Sequence, residues 1–369
     1  MEITQDQIAA EAEHRLPLGP NLARWLSGWL SRLGLIRGGQ KQLQSNSNGF
    51  RSSAEPTVRP KVKRVYHTQM LCASIAIVVV SILGCMLTGV RVPGAGTLLL
   101  GLVFAGAAIL PFPLYMWEKG WEYLPDALLT VLWSTLLYCV LNFPVTIAAR
   151  LGAATPLQDS HFMQLDSLLG IHVPSIMAWS DAHGLRSFSD KCYYALIPSL
   201  WAAVFLPTLA GKARDTQRFL TANLIAFAIG LPIFALLPAI GPWYGYHLPM
   251  GRYEAECQAL IFQIRQPGPF TYHPPAGIIC FPSFHVIWAI LCARSLWGFR
   301  FLRIPVSILS LMIIASTLTT GVHYFCDVLA GIVLATIAII AANKIALRTL
   351  GATGAAPAIE VGTSQPLLD

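Results

Sequence analysis

Two short segments hold the residue types that can carry a reaction. Phe281-Pro282-Ser283-Phe284-His285 sets a proline and a serine before a histidine at the mouth of an apolar run. Ser316-Thr317-Leu318-Thr319-Thr320-Gly321-Val322-His323-Tyr324-Phe325-Cys326-Asp327 sets a second histidine four residues before an aspartate. Proline near a first helical position starts a helix without wasting an amide donor. The exposed amides that follow, with the Ser283 hydroxyl, suit a phosphate oxygen at a positive helix end. On a helix, His323 and Asp327 share one face. A carboxylate there accepts the proton of one imidazole nitrogen and leaves the other as a nucleophile. No cluster of Cys, His or carboxylates has the spacing of a metal site, so neither a metal nor another cofactor is expected.

Composition identifies the elements that must bring these segments together. Of 369 residues, 55% are hydrophobic and 12% charged, and the mean hydropathy is +0.58. A soluble chain of this length does not hide that much apolar surface behind so few charges. Apolar blocks of membrane-crossing length lie at about 70–90, 95–116, 127–149, 193–211, 219–241, 281–298, 304–320 and 322–343. The narrow gap before the last block leaves six or seven spans open as well. The expected fold is all-α, a polytopic transmembrane helix bundle of six to eight spans. The first strong block begins near Met70, so a cleavable signal is not needed.

Lys and Arg mark cytoplasmic loops. Arg15, Arg24, Arg32, Arg37, Lys41, Arg51, Arg59, Lys61, Lys63 and Arg64 precede the first block and place the N-terminus inside. Eight spans then put Lys119, Lys212, Arg218, Arg300, Arg303, Lys344 and Arg348 inside too. Arg91, Arg150, Arg186, Lys191, Arg252 and Arg265 fall outside. With this topology the sixth span runs inward from His285 and the seventh returns outward to His323, so both histidines meet the outer boundary. Ionisable groups at that depth are costly unless they serve each other or a substrate. The net charge of +7 is a topology signal, and nucleic-acid binding is not expected. A bacterial cytoplasmic membrane fits best, with a Golgi-type membrane as the eukaryotic counterpart.

Four regions follow. Residues 1–69 form a cytoplasmic tail, with Leu22, Trp25, Leu26, Trp29, Leu30 and Leu33 spaced as an interfacial helix before a polar linker from Gly38 to Pro60. Residues 70–150 hold the first transmembrane helices, 151–350 the membrane catalytic core, and 351–369 a tail expected to be disordered. Two large outer loops, about 151–192 and 241–280, are candidates for substrate handling. The first carries an amphipathic pattern with Asp159, Phe162, Leu165 and Asp166. The second is bracketed by Cys257 and Cys280, which could pair if it faces an oxidising compartment. His247 and His273 read as polar residues at span boundaries, and Tyr324 as an interface anchor.

Pro282-Ser283-Phe284-His285 followed by Gly321-Val322-His323-Tyr324-Phe325-Cys326-Asp327 resembles the second and third signatures of the type 2 phosphatidic acid phosphatase superfamily. Ser316, Thr317, His323, Tyr324 and Asp327 resemble the third signature of its inositol phosphorylceramide synthase-like branch, an inositolphosphotransferase, and Asp159-x6-Asp166-x2-Leu169-Gly170 is similar to bacterial members of that branch. The resemblance implies a phosphatase-like core and a phosphohistidine on His323, oriented by Asp327, with His285 as general acid and then base. It implies a membrane phospholipid or sphingolipid-type substrate, or a polyprenyl pyrophosphate, and an alcohol or water as acceptor. It sets no oligomeric state.

The pattern departs from the phosphatases in two places. Thr317 stands where their signature has an arginine, and no Lys-x6-Arg-Pro signature occurs. Arg252, Arg265 and Lys191 are the candidates to bind the phosphate, beside Ser283. The missing cations also keep open a catalytically silent scaffold or transporter of the same fold. A haem held by two histidines is a third reading.

Overall fold

The computed structural model describes residues 59–354 apart from 95, 98–100, 102–105, 107–108, 110, 122 and 273–276. The chain enters through α1 (Arg59–Thr88), and α2 (Pro111–Glu118), α3 (Tyr123–Val140) and α4 (Asn142–Leu151) follow. Short helices α5 (Asp159–Leu168), α6 (Val173–Ala182) and α7 (Arg186–Tyr194) lead into α8 (Leu196–Leu209) and α9 (Ala213–Leu236). After α10 (Pro242–Gly245) and α11 (Arg252–Arg265) come α12 (Phe284–Leu296), α13 (Arg303–Thr319) and α14 (Phe325–Gly354). Two-residue strands β1 (Val90–Arg91) and β2 (Phe270–Thr271) pair in parallel, Val90 opposite Phe270.

Among the described residues, Tyr66–Thr88, Tyr123–Ala154, Arg186–Leu209, Ala213–Leu236 and Phe325–Ala346 are long and apolar enough to cross a membrane. Phe284–Leu296 and Arg303–Thr319 are shorter apolar helices. The molecule is a polytopic, all-α membrane bundle. The expected block at 95–116 is described mainly through α2. The expected interfacial helix at 22–33 and most of the linker lie outside the described residues. The final helix continues to Gly354, beyond the point where the tail was expected to lose order, and the rest of the tail lies outside the described residues.

Small residues let the central helices approach closely. Ala222, Ala226 and Gly230 on α9 and Ala335, Ala338 and Ala342 on α14 line the packed interior, the pattern that replaces hydrophobic drive where lipid is the solvent. Gly331 sets the closest approach. A Cβ there would sit 2.8 Å from the Ser283 carbonyl oxygen and 3.0 Å from the Val286 Cβ, so its hydrogen lets α14 lie against the start of α12.

Several hydroxyls inside the bundle are satisfied locally. Thr130, Ser134, Ser199 and Thr208 each bond to the carbonyl four residues earlier, which keeps a hydroxyl tolerable in hydrocarbon. The Trp133 indole donates to His67 Nδ1 at 3.0 Å, and His67 Nε2 lies 2.9 Å from Asp126. Indole is only a donor, so the proton on His67 sits on Nε2 and points at the carboxylate. This network ties α1 to α3. At the other end, Arg150 at the close of α4 donates to the carbonyls of Thr88, Ile264, Gln266 and Gly268. One guanidinium fork thereby fastens the α1–β1 turn and the end of α11 to the bundle.

The close approach at Gly331 is open to test. Gly331→Ala is expected to lower stability by about 1–3 kcal/mol, the cost of overpacking against backbone. Val333→Ala, on the exposed face of the same helix, is expected to change it little. Thermal unfolding of the two purified variants checks this.

Candidate active site

The turn that carries His323 is built by the end of α13. Gly321 has φ +75°, the left-handed conformation that glycine adopts at a helix C-terminus. Its amide donates to Leu318 O, and Val322 N donates to Thr317 O at 3.1 Å. That is the paired bonding of a Schellman stop. His323 N also reaches Thr317 O, at 3.2 Å. Thr317 therefore serves as a helix terminator through its carbonyl, while its hydroxyl bonds back to Ile314 O and that of Ser316 to Ile313 O.

His323 and Asp327 meet, but not as expected. They do not share a helix face, because α14 begins only at Phe325 and His323 lies in the turn before it. Asp327 occupies the third position of the new helix and reaches back. Its Oδ2 accepts from the Tyr324 amide at 2.8 Å, as the acid of a capping box does. The same oxygen lies 3.4 Å from His323 Nδ1 and accepts the Cys280 thiol at 3.1 Å. Nδ1 thus faces the carboxylate, and Nε2 is left for a ligand.

Two further carboxylates hold the same turn. Asp166 is fully buried and accepts from the amides of Phe325 and Cys326 at 2.7 and 2.9 Å. Asp159 accepts from the amides of Ile240 and Gly241 and from the Tyr324 hydroxyl at 3.0 Å. Burial pushes the Asp159 carboxyl above the usual carboxylate range, while the Gly241 and Ile240 amides and Tyr324 pull it back. Tyr324, expected as an interface anchor, is fully buried, because its hydroxyl has this partner. Sequence reading placed Asp159 and Asp166 in an amphipathic pattern and a family signature but not in the site. The available signal was their spacing: Asp159, Phe162 and Asp166 fall on one face of α5, and all three are buried.

His285 sits in the first turn of α12. Ser283 caps that helix, its hydroxyl accepting from Val286 N at 3.4 Å, and its own amide bonds the Asp327 carbonyl at 3.2 Å. The two sequence motifs are therefore joined backbone to backbone. The rings of His285 and His323 have centroids 5.8 Å apart. Tyr193 of α7 stacks on His285, centroids 4.0 Å apart and planes inclined by 20°. Its hydroxyl lies 3.4 Å from Nδ1, so Tyr193 holds His285 mainly through its face.

The expected cations are elsewhere. Arg252 is exposed and pairs with Glu256 at 2.8 Å. Arg265 donates to the carbonyls of Gly152 and Thr155, a structural role, and burial lowers its pKa. Lys191 is exposed on α7, two residues before Tyr193, a spacing that puts them on different faces. No described contact joins any of the three to the histidines. His247 is exposed, and His273 lies outside the described residues.

Cys257 and Cys280 are both buried, and no disulfide joins them. Cys280 instead joins a grouping that linear spacing hid: donor atoms of Cys280, His323 and Asp327 all lie within 4.8 Å of one another. Three such donors could hold a thiophilic cation, though a closed structural zinc site needs four. Here the thiol's hydrogen bond to Asp327 already uses the arrangement.

Comparison with known proteins gives one likeness to a family. No curated protein and no solved structure matches the chain. Residues 160–341, from the start of α5 into the second half of α14, match the family model described as the PAP2 superfamily. That region contains His285, His323 and Asp327 together with the helices that position them, and over it the chain is similar to the PAP2 superfamily.

Proposed function

We propose that the protein transfers a phosphoryl-containing group from a membrane lipid through a phosphohistidine on His323. The carrying observation is the convergence of two imidazoles, 5.8 Å between ring centroids, with Asp327 behind the second. His323 Nε2 attacks phosphorus, and the bond from phosphorus to the departing oxygen breaks. His285 supplies the proton that this oxygen takes up. His285 then removes a proton from water or an alcohol, whose oxygen attacks phosphorus and releases His323. Water makes the protein a phosphatase and an alcohol makes it a phosphotransferase, of which inositol transfer is the version favoured by the sequence signature.

Charge bears on the donor. Three carboxylates line the back of the site, and no Lys or Arg contact with the histidines is described. A phosphodiester carries one negative charge, whereas a phosphomonoester approaches two and needs more cationic help around its equatorial oxygens. The site therefore favours a diester donor and head-group transfer over phosphate-monoester hydrolysis. The cation-rich ends of α9, α13 and α14 support a cytoplasmic placement of that end, and hence an outer-face position for the histidines.

A second reading has its own support. His323 is only 1% exposed, and a site this closed also suits a silent scaffold. Under the catalytic reading, Tyr193 or the segment around Met177, which packs on Gly321, must move to admit phosphate.

Mass spectrometry of products separates the two. Purified protein supplied with candidate phospholipid donors and with inositol, other alcohols or water is expected to form a transferred or hydrolysed product. Vanadate should inhibit it, His323→Ala should abolish turnover, and His285→Ala should slow it by roughly 10²–10⁴-fold. Full turnover in His323→Ala would reject the phosphohistidine, and no product from any donor would favour the scaffold.

Tyr193 gives a finer test. Tyr193→Phe keeps the stacked face and should retain kcat within about twofold, whereas Tyr193→Ala should lower it by about 3- to 30-fold, the worth of one ring–imidazole contact. Equal losses in both variants would assign the effect to the hydroxyl.

A further inference from the structure

The end of the bundle away from the histidines holds a feature that the proposed reaction does not use. A shallow, open cleft lies where α9, α12 and α14 meet, lined by Asp215, Arg218, Leu291, Arg294, Ile339 and Asn343. Helix geometry sets its distance from the reaction centre. Arg218 is 18 residues before the end of α9, and Asn343 is 16 residues beyond Asp327. At 1.5 Å per residue these are roughly 27 and 24 Å, most of the hydrocarbon thickness of a bilayer.

The cleft has an excess of positive charge. Arg218 has one long contact, Nη1 to Asp215 Oδ1 at 3.5 Å, and its buried Nε has no hydrogen-bond partner among the described residues. The Arg294 guanidinium forms no ion pair among the described residues, so the Arg218–Asp215 pair is the cleft's one described salt bridge. Two guanidinium groups thus face one carboxylate. An unpaired buried donor of a charged group is costly unless something accepts from it. The surroundings are basic as well: Lys212 donates to the Gly298 carbonyl at 2.8 Å, and Arg303 to that of Trp297.

The cleft is also continuous with surface suited to acyl chains. Ile332, Ile339 and Asn343 follow one face of α14 at helical spacing. Ile332, Val333, Ile337 and Ile340 are exposed along that helix. An apolar track of some 16 Å, counted over eleven residues, therefore leads along the membrane to a basic notch. A soluble anion would use the notch but not the track.

We infer that this cleft is a binding site for the headgroup phosphate of an anionic phospholipid, with its acyl chains along α14. Guanidinium groups bind phosphate oxygens in a bidentate manner, and basic pockets between membrane helices take anionic lipid heads. The inference stands apart from the proposed reaction, because it concerns the opposite end of the molecule and is read by binding.

The test uses the full-length chain, purified and examined by native mass spectrometry with phosphatidylglycerol or with phosphatidylcholine of the same acyl chains. Phosphatidylglycerol is expected to be retained in preference. Arg218→Gln with Arg294→Gln should weaken that retention by roughly 10- to 30-fold, from about one lysine- or arginine-equivalent each. Phosphatidylcholine retention should stay unchanged, and His323→Ala should leave the preference intact. Arg294→Gln alone, at an exposed side chain, should give part of the loss even if the double variant does not fold. The inference is overturned if the arginine variants hold phosphatidylglycerol as the unaltered protein does. Equal retention of the two lipids, or displacement of phosphatidylglycerol by millimolar inorganic phosphate, would also overturn it, the latter by making the ligand a soluble anion.

Discussion

Three buried carboxylates around one helix N-terminus hold the reactive turn in shape. Asp166 takes two amides of α14, Asp327 takes the amide just before them, and Asp159 takes the Tyr324 hydroxyl and two amides of the 238–241 turn. None of them relies on a lysine or arginine in the described contacts. Their charge is offset by N–H groups that would be orphaned at a helix start and by the positive end of its dipole. Removing one would free donors as well as a charge, so the turn and the imidazole stand or fall together. The arrangement also occupies the first amides of α14, which are then closed to a phosphate.

The same three helices that gather the histidines separate the two ends of the molecule. Alanine and glycine on α9 and α14 bring backbones close, and Gly331 lets Ser283 bond to Asp327 across the contact. Close backbone packing makes the geometry stiff, because little side-chain volume can rearrange. Ends that are acidic and amide-lined at one side and arginine-rich at the other then follow from where polar residues can reach an interface.

Much of this was legible in the sequence. Apolar block length revealed the helices, and the alternation of their direction brought His285 and His323 to one end. The local geometry of His323 was not legible, because four-residue spacing is equally compatible with a helix face and with a carboxylate reaching back across a helix start. Gly321 was the cue to the second possibility, since glycine followed by polar and aromatic residues marks a stop. The partners of Tyr324 and Cys280 were hidden for a different reason. They lie 165 and 47 residues away in sequence, and only tertiary packing creates them. The contacts of the expected cations were hidden for a related reason: an arginine at a helix end has backbone carbonyls within reach, and Arg265 donates to two of them.

The placement of these cations bears on the proposed chemistry. An imidazole backed by a carboxylate is a good nucleophile toward phosphorus, but the reaction also needs negative charge relieved on the oxygens that do not leave. In this core the fixed charges nearest the nucleophile are negative, and the guanidinium groups of Arg150, Arg265 and Arg252 are spent on carbonyls and on Glu256. His285, when protonated, is then the main positive charge at hand, and one imidazolium balances one oxygen. A donor whose phosphorus carries a second ester link asks for no more than that. Under the proposed reaction, threonine in place of arginine at position 317 and a singly charged donor are two aspects of one electrostatic constraint.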